Sequence, residues 1–212
     1  MEKRVDQDKA MRYPRYALVS VSNKTGIENL ARALCDFGFE ILSTGGTGQA
    51  LKEAGVPVTD ISELTGFDQI LDGAVKSLHP QVIGGIVARD SQQHFEELVS
   101  MKSSYVDIVI CNLGRVAKPA TAPTAPLSNV MDQIDIGGPT LLKAAAKNFE
   151  RVTVISDPEI YHDLLWYLAS EGEVPLETRF EWAKQAFKHV KNYESMIYTT
   201  LLEYDLATDK RK

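Results

Sequence analysis

Four segments concentrate the residues able to do chemistry: SVSNKTG at Ser20 to Gly26, STGGTG at Ser43 to Gly48, DGAVKSLHP at Asp72 to Pro80, and DIGGPTLLKAAAKN at Asp135 to Asn148. The first two each follow an apolar run and precede a helix-like pattern. At such junctions backbone N–H groups, hydroxyls and Lys24 can surround one anion, which makes a phosphorylated small molecule the first ligand to consider. STGGTG is neither the dinucleotide fingerprint nor the P-loop, so the spacing favours a monophosphate. The other two segments bring Lys76 near His79 and Lys147 into the same stretch as Asp135, groups suited to moving protons. Each has a plainer reading as well: Ser22 or Asn23 as a helix cap, Asp135 as the cap of a turn, and Lys147 as a surface lysine near a helix end.

The elements that must carry these residues alternate. Tyr16 to Val21 reads as a strand, Ile27 to Phe37 as a helix with one apolar face, Phe39 to Leu42 as a strand, and Gln49 to Ala54 as a helix stopped by Gly55. Val82 to Ala88, Val106 to Cys111 and Val152 to Ser156 are further strand candidates, followed by a helix over Glu159 to Ala169. Thr140 to Lys147 also reads as helix, and beyond Leu176 one long helix carries Phe180, Ala183, Phe187, Val190, Tyr193 and Ile197 at spacings of three or four. Such alternation predicts an α/β fold whose mainly parallel sheet is covered on both faces, with the ligand beyond the carboxyl ends of the strands.

The 212 residues suffice for one well-buried domain, expected over 15–204, between a flexible segment at 1–14 and a polar tail at 205–212, whose final ATDKRK is expected to fray. The stretch VAKPATAPTAP holds four alanines, three prolines and two threonines, which predicts an extended surface loop. Lys plus Arg number 23 against 29 Asp plus Glu, a formal net charge of -6 that provides no footprint for nucleic acid. No apolar run reaches the ~20 residues that a membrane helix needs, and the first residues lack the apolar core of a secretory signal, so a soluble cytoplasmic protein is expected. Cys35 and Cys111 are expected as unpaired thiols, and His94, His162 and His189 have no metal-ligand spacing. No metal is expected.

Taken together, SVSNKTG, ILSTGGTGQALKEAGVPVTDISELTGF, DGAVKSLHP, GGIVAR, DIGGPTLLKAAAKN and VTVISDP resemble the IMP cyclohydrolase domain of the bifunctional purine-biosynthesis enzyme that also carries AICAR transformylase. The likeness runs from about Tyr16 to Leu202. It implies a methylglyoxal synthase-like three-layer fold and closure of formyl-AICAR to IMP with loss of water and without a cofactor. The resemblance assigns Ser22, Lys24, Thr44, Gly46 and Thr47 to the 5′-phosphate. It assigns Ser20, Asn112, Asp135, Ile136 and Gly137 to the base and its carboxamide, and makes Lys76, Asp135 and Lys147 catalytic. It further implies a homodimer, a small ribotide substrate and a separate AICAR transformylase as partner, since no transformylase half lies within these residues. The chain departs from the family pattern at Ala74, Ile83 and Gly114, where the family has arginine, histidine and tyrosine. Loss of one positioned donor costs on the order of a hundredfold in turnover. A weakened cyclohydrolase, a cyclase for another imidazole ribotide and a nucleotide-binding relative therefore all stay open at this stage.

Overall fold

A computed structural model describes residues 14–68, 77–114, 126–205 and 210–211. Five parallel strands form the central sheet: β1 (Arg15–Val21), β2 (Phe39–Ser43), β3 (Val58–Asp60), β4 (Val106–Asn112) and β5 (Thr153–Ile155), in the order β3-β2-β1-β4-β5. The chain winds outward from β1 through β2 to β3, then crosses back to lay β4 on the other side of β1. This reversal opens a crevice at the carboxyl ends of β1 and β4, the place where open parallel sheets bind ligands.

The pleat sorts each strand onto two cores. Ala17, Val19 and Val21 of β1, with Ile108 and Ile110 of β4, meet α1 (Ile27–Asp36), α2 (Gly45–Glu53) and α8 (Tyr161–Ser170) on one face. Tyr16 and Leu18 of β1, with Val109 and Cys111 of β4, meet α4 (Pro80–Val87), α7 (Gly137–Lys147) and α9 (Leu176–Leu202) on the other. Both faces of the sheet are apolar because both are covered, which gives the three layers. The short helices α3 (Ile61–Thr65), α5 (Gln92–Ser100) and α6 (Leu127–Met131) fill the connections.

Three expectations change. Val82 to Ala88 is helix, not strand: Pro80 occupies the first helical turn and His79 Nδ1 accepts the Gln81 N–H at 3.3 Å, capping α4. A short apolar run buried on most sides looks the same in either state, and the helix start decides it. The helix expected from Gln49 begins at Gly45, so the glycine turn is itself the first helical turn. Lys210–Arg211, within the tail expected to fray, pairs antiparallel as β7 with β6 (Tyr204–Asp205), since ladder hydrogen bonds need no apolar side chain. The Pro/Ala-rich stretch through residue 125 and the segment 1–13 lie outside the described residues.

The long helix α9 does cover the sheet, as its apolar spacing predicts. Trp182, Ala183, Ala186, Val190 and Tyr193 are buried, while Phe180 and Phe187 remain about half exposed. Among the described residues no helix is long and apolar enough to cross a membrane. Cys35 and Cys111 are free thiols.

Candidate active site

At the mouth of the crevice the ends of β1 and β4 are bound to each other and to α2. Val21 N–H donates to Thr47 Oγ1 at 3.1 Å, and the same hydroxyl donates back to the Val21 carbonyl at 3.0 Å. Asn112 Oδ1 accepts the Asn23 N–H at 2.7 Å while its Nδ2 donates to the Asn23 carbonyl at 3.1 Å. A side-chain amide presents donor and acceptor side by side, so Asn112 clamps the peptide on which Ser22 and Lys24 are mounted. Thr47 and Asn112 are 6% and 7% exposed, and this burial goes with a framework role alongside any contact to ligand.

The first turn of α2 borders the same space. Thr44 is extended at the N-cap and Gly45 has φ of +56°, a left-handed torsion that a side chain at this position would strain. The turn brings the N–H groups of the helix start, unpaired within the helix, toward the crevice. Lys24 lines the same cavity, so backbone dipoles and a lysine together suit one anionic group.

Across the cavity stands the start of α7. Asp135 Oδ1 accepts the Gly138 N–H at 3.0 Å, and the Asp135 N–H donates to the Tyr193 hydroxyl at 2.7 Å. The carboxylate is therefore both a helix cap and an exposed group at the cavity wall. Gly137 and Gly138 are there for close approach. A Cβ at Gly138 would lie 2.5 Å from Asp135 Oδ2 and 2.5 Å from Leu113 Cδ2, and one at Gly137 would lie 2.7 Å from Ser77 Oγ. Beneath this turn the buried Cys111 thiol is held protonated by desolvation, with Asp135 adding to the effect.

The resulting cavity has a volume of about 680 Å³, enough for a nucleoside monophosphate. Ser20, Ser22, Lys24, Thr44, Gly46, Thr47, Asn112, Asp135, Ile136 and Gly137, ten residues singled out in the sequence, all line it. Lys147 does not. It is exposed at the other end of α7, about 15 Å along the helix axis from Gly137 at 1.5 Å per residue. Lys76 and Ala74 lie outside the described residues, though Ser77, next to Lys76, is buried in the lining. His79 serves α4 as its cap and does not line the cavity.

Sequence reading missed Val21, Ser77, Met131, Asp132 and Ile134 as lining residues. Val21 and Ser77 stood inside quoted motifs, whereas Met131 to Ile134 follow the Pro/Ala-rich stretch with no pattern to mark them. Among the described residues no group of three His, Cys, Asp or Glu side chains is arranged to hold a metal ion.

Comparison with known proteins agrees with this geometry. The MGS-like domain model matches residues 26–140, and the AICARFT/IMPCHase bienzyme model matches residues 145–211. The Bifunctional purine biosynthesis protein PurH of Halalkalibacterium halodurans is 47% identical over 184 residues, covering 86% of this chain and 36% of that protein. PurH of Synechococcus elongatus is 43% identical over 201 residues, covering 93% of this chain and 39% of that protein. The crystal structure of ForH superposes with a TM-score of 0.81 at 33% identity, covering 89% of this chain and 100% of that one. The chain spans a little over a third of the length of the PurH relatives it matches. With more than half of its residues under the MGS-like model and the β1/β4 crevice built as that fold requires, the chain belongs to the MGS-like domain family, in the form shared with PurH proteins.

Proposed function

We propose that this protein closes formyl-AICAR to IMP, using the cavity at the ends of β1 and β4. The observation that carries the reading is the convergence of Lys24 and the α2 N-terminus on one side of that cavity with Asp135 and the α7 N-terminus on the other. A ribotide has a phosphate at one end and a carboxamide at the other, and the two halves of the cavity match that polarity.

In this reading Ser22, Lys24, Thr44, Gly46 and Thr47 hold the phosphate. Ser20, Asn112, Ile136 and Gly137 border the base. The carboxamide nitrogen attacks the formyl carbon, a C–N bond forms, and Asp135 carries the proton that this nitrogen loses to the formyl oxygen, which becomes the hydroxyl of a carbinolamine. The formamide nitrogen then loses its own proton as the ring C=N bond forms, and Asp135 relays that proton to the hydroxyl, which departs as water. Lys76 stabilises the developing oxyanion. The resemblance gives Lys147 a part in the departure of water, but its place at the far end of α7 leaves that proton to Asp135. Both reacting groups belong to one molecule, so most of the orientation cost is met by the substrate itself.

The reading is tested by following formyl-AICAR loss by absorbance with the purified protein beside a known cyclohydrolase. No acceleration over buffer removes it. A second reading, a relative that binds a ribotide without turning this one over, is favoured by Gly114: a Cβ there would lie 3.0 Å from Ser22 Oγ, so the space of the family's tyrosine is partly taken by Ser22. Tight IMP binding without turnover would select that reading. An AICAR transformylase is the proposed supplier of substrate, and the half-exposed Phe180 and Phe187 of α9 are the proposed region of self-association into a homodimer.

A further inference from the structure

We propose that His189 and Tyr193, four residues apart on α9, are the positioning pair of this cavity, holding the loop after β4 and the Asp135 turn at a fixed separation. The inference rests on the reading that Asp135 faces the reacting amide. Leu113 N–H donates to His189 Nε2 at 3.0 Å, and Asp135 N–H donates to the Tyr193 hydroxyl at 2.7 Å. The two acceptors belong to one turn of one helix, whereas the two donors belong to connections 22 positions apart in sequence. Residues four apart on a helix lie on one face, about 6 Å between Cβ atoms, so α9 is a rigid gauge for the two connections.

Neither side chain lines the cavity, which makes them positioning rather than catalytic residues. Their own placement is secure. Tyr193 is 5% exposed and packs with Val130 and Tyr204, Val190 between the pair is buried in the core, and Lys143 Nζ to Glu194 Oε1 at 3.2 Å ties α9 to α7. The chain of contacts continues to the chemistry: Tyr193 fixes the Asp135 backbone, and the Gly138 N–H fixes its carboxylate. His189 meanwhile fixes Leu113, whose side chain, like that of Asp135, lies within 2.5 Å of where a Cβ at Gly138 would stand.

The His189 contact also has a defined protonation state. Because Nε2 accepts, the neutral ring carries its proton on Nδ1. Protonation would place a donor against the Leu113 N–H and remove the bond. Burial holds His189 below its ordinary value of 6.5, and the charge that opposes this shift is Asp157, just past β5. With the folded value depressed, the contact is complete above the ordinary value and is lost as pH falls through the folded one.

The test uses the 212-residue chain and the variants Tyr193→Phe, His189→Leu and His189→Gln, with turnover of formyl-AICAR from acid to neutral pH and amide hydrogen exchange at Leu113 and Asp135. Tyr193→Phe is expected to lower kcat about tenfold with little change in KM, the loss of one buried hydrogen-bond partner near the reacting group, and to speed exchange at Asp135. His189→Leu should speed exchange at Leu113. His189→Gln keeps an acceptor that does not titrate, so it should retain the neutral rate and lose the acid limb that the parent shows. Unchanged exchange at both amides, or a kcat in Tyr193→Phe equal to the parent's, would overturn the proposal. If the parent turns over no formyl-AICAR, the proposed reaction falls, and the exchange rates at the two amides still decide whether the pair holds the two connections.

Discussion

The two ends of the sheet make opposite use of the same polar groups. At the carboxyl end helices begin, so N–H groups face the crevice, and the structure places Lys24 and Asp135 at its walls. At the amino end helices stop, and the groups left over are carbonyls. There Arg151 Nη2 donates to the Gly85, Ile86 and Val106 carbonyls at 2.6, 3.0 and 3.2 Å, and its Nε donates to the Ala88 carbonyl at 2.8 Å. Its Nη1 pairs with Asp107 Oδ1 at 3.0 Å, and the guanidinium lies 4.7 Å over the Tyr105 ring. Asn148 Nδ2 adds bonds to the Ile86 and Ala88 carbonyls at 2.8 and 2.9 Å. A smaller cavity of about 350 Å³ opens at this end, yet its most buried cation is already committed to the protein. The difference separates a polar site left open to solvent from a polar site that closes the fold, although both carry charged groups.

Removing Arg151 should have the largest effect on stability. Arg151→Met leaves Asp107 with only the 3.6 Å pairing to Arg15 and takes the guanidinium away from the Gly85 and Val106 carbonyls, and loss of about 3–5 kcal/mol is expected in urea unfolding. A loss below ~1 kcal/mol would erase the contrast between the two ends. Burial pulls the guanidinium below its ordinary value while Asp107 holds it up.

Lys24→Ala should do the reverse. Exposed at the cavity wall, it should change stability by less than ~0.5 kcal/mol. Its loss should weaken IMP binding by about 1.5–3 kcal/mol, the range for a hydrogen bond to a charged group, as read by calorimetry. Equal binding by parent and variant would move the phosphate away from the α2 N-terminus.

Gly138→Ala joins the two effects. The added Cβ must displace Asp135 or Leu113, which should cost about 1–3 kcal/mol of stability, with turnover falling further because Asp135 is the displaced group. An intact rate would show that Asp135 is only a cap. The smallest effect belongs to Gly114→Ala, whose Cβ presses on Ser22 Oγ at 3.0 Å: stability should stay within ~0.5 kcal/mol of the parent and IMP affinity should drop slightly. Improved affinity would indicate that the gap at Gly114 is vacant in the complex rather than taken by Ser22.

Much of this arrangement was legible before any coordinates. The apolar runs marked β1, β2, β4 and β5, the glycine and lysine motifs fell where a parallel sheet keeps its ligands, and ten of the twelve residues that the family resemblance assigned to the site line one cavity. The runs and motifs are local, since periodicity and turn chemistry need only neighbouring residues to be read, whereas the residue roles came from the resemblance. Val82 to Ala88 was misjudged because burial on most sides hides the period that separates strand from helix.

What only the tertiary structure decided are pairings between distant segments. Asn112 could be named as a ligand contact from its place after a strand, but its grip on Asn23 follows from the adjacency of β1 and β4. His189 and Tyr193 stood in the sequence as ordinary members of a long helix, and only the crossing of α9 over α7 and β5 sets them against Leu113 and Asp135. Lys147 shows the converse: sharing a motif with Asp135, it lies a whole helix away from it in space. Sequence spacing measures distance along the chain, and a helix converts ten positions into about 15 Å, so which chemical groups meet is settled by packing rather than by motif.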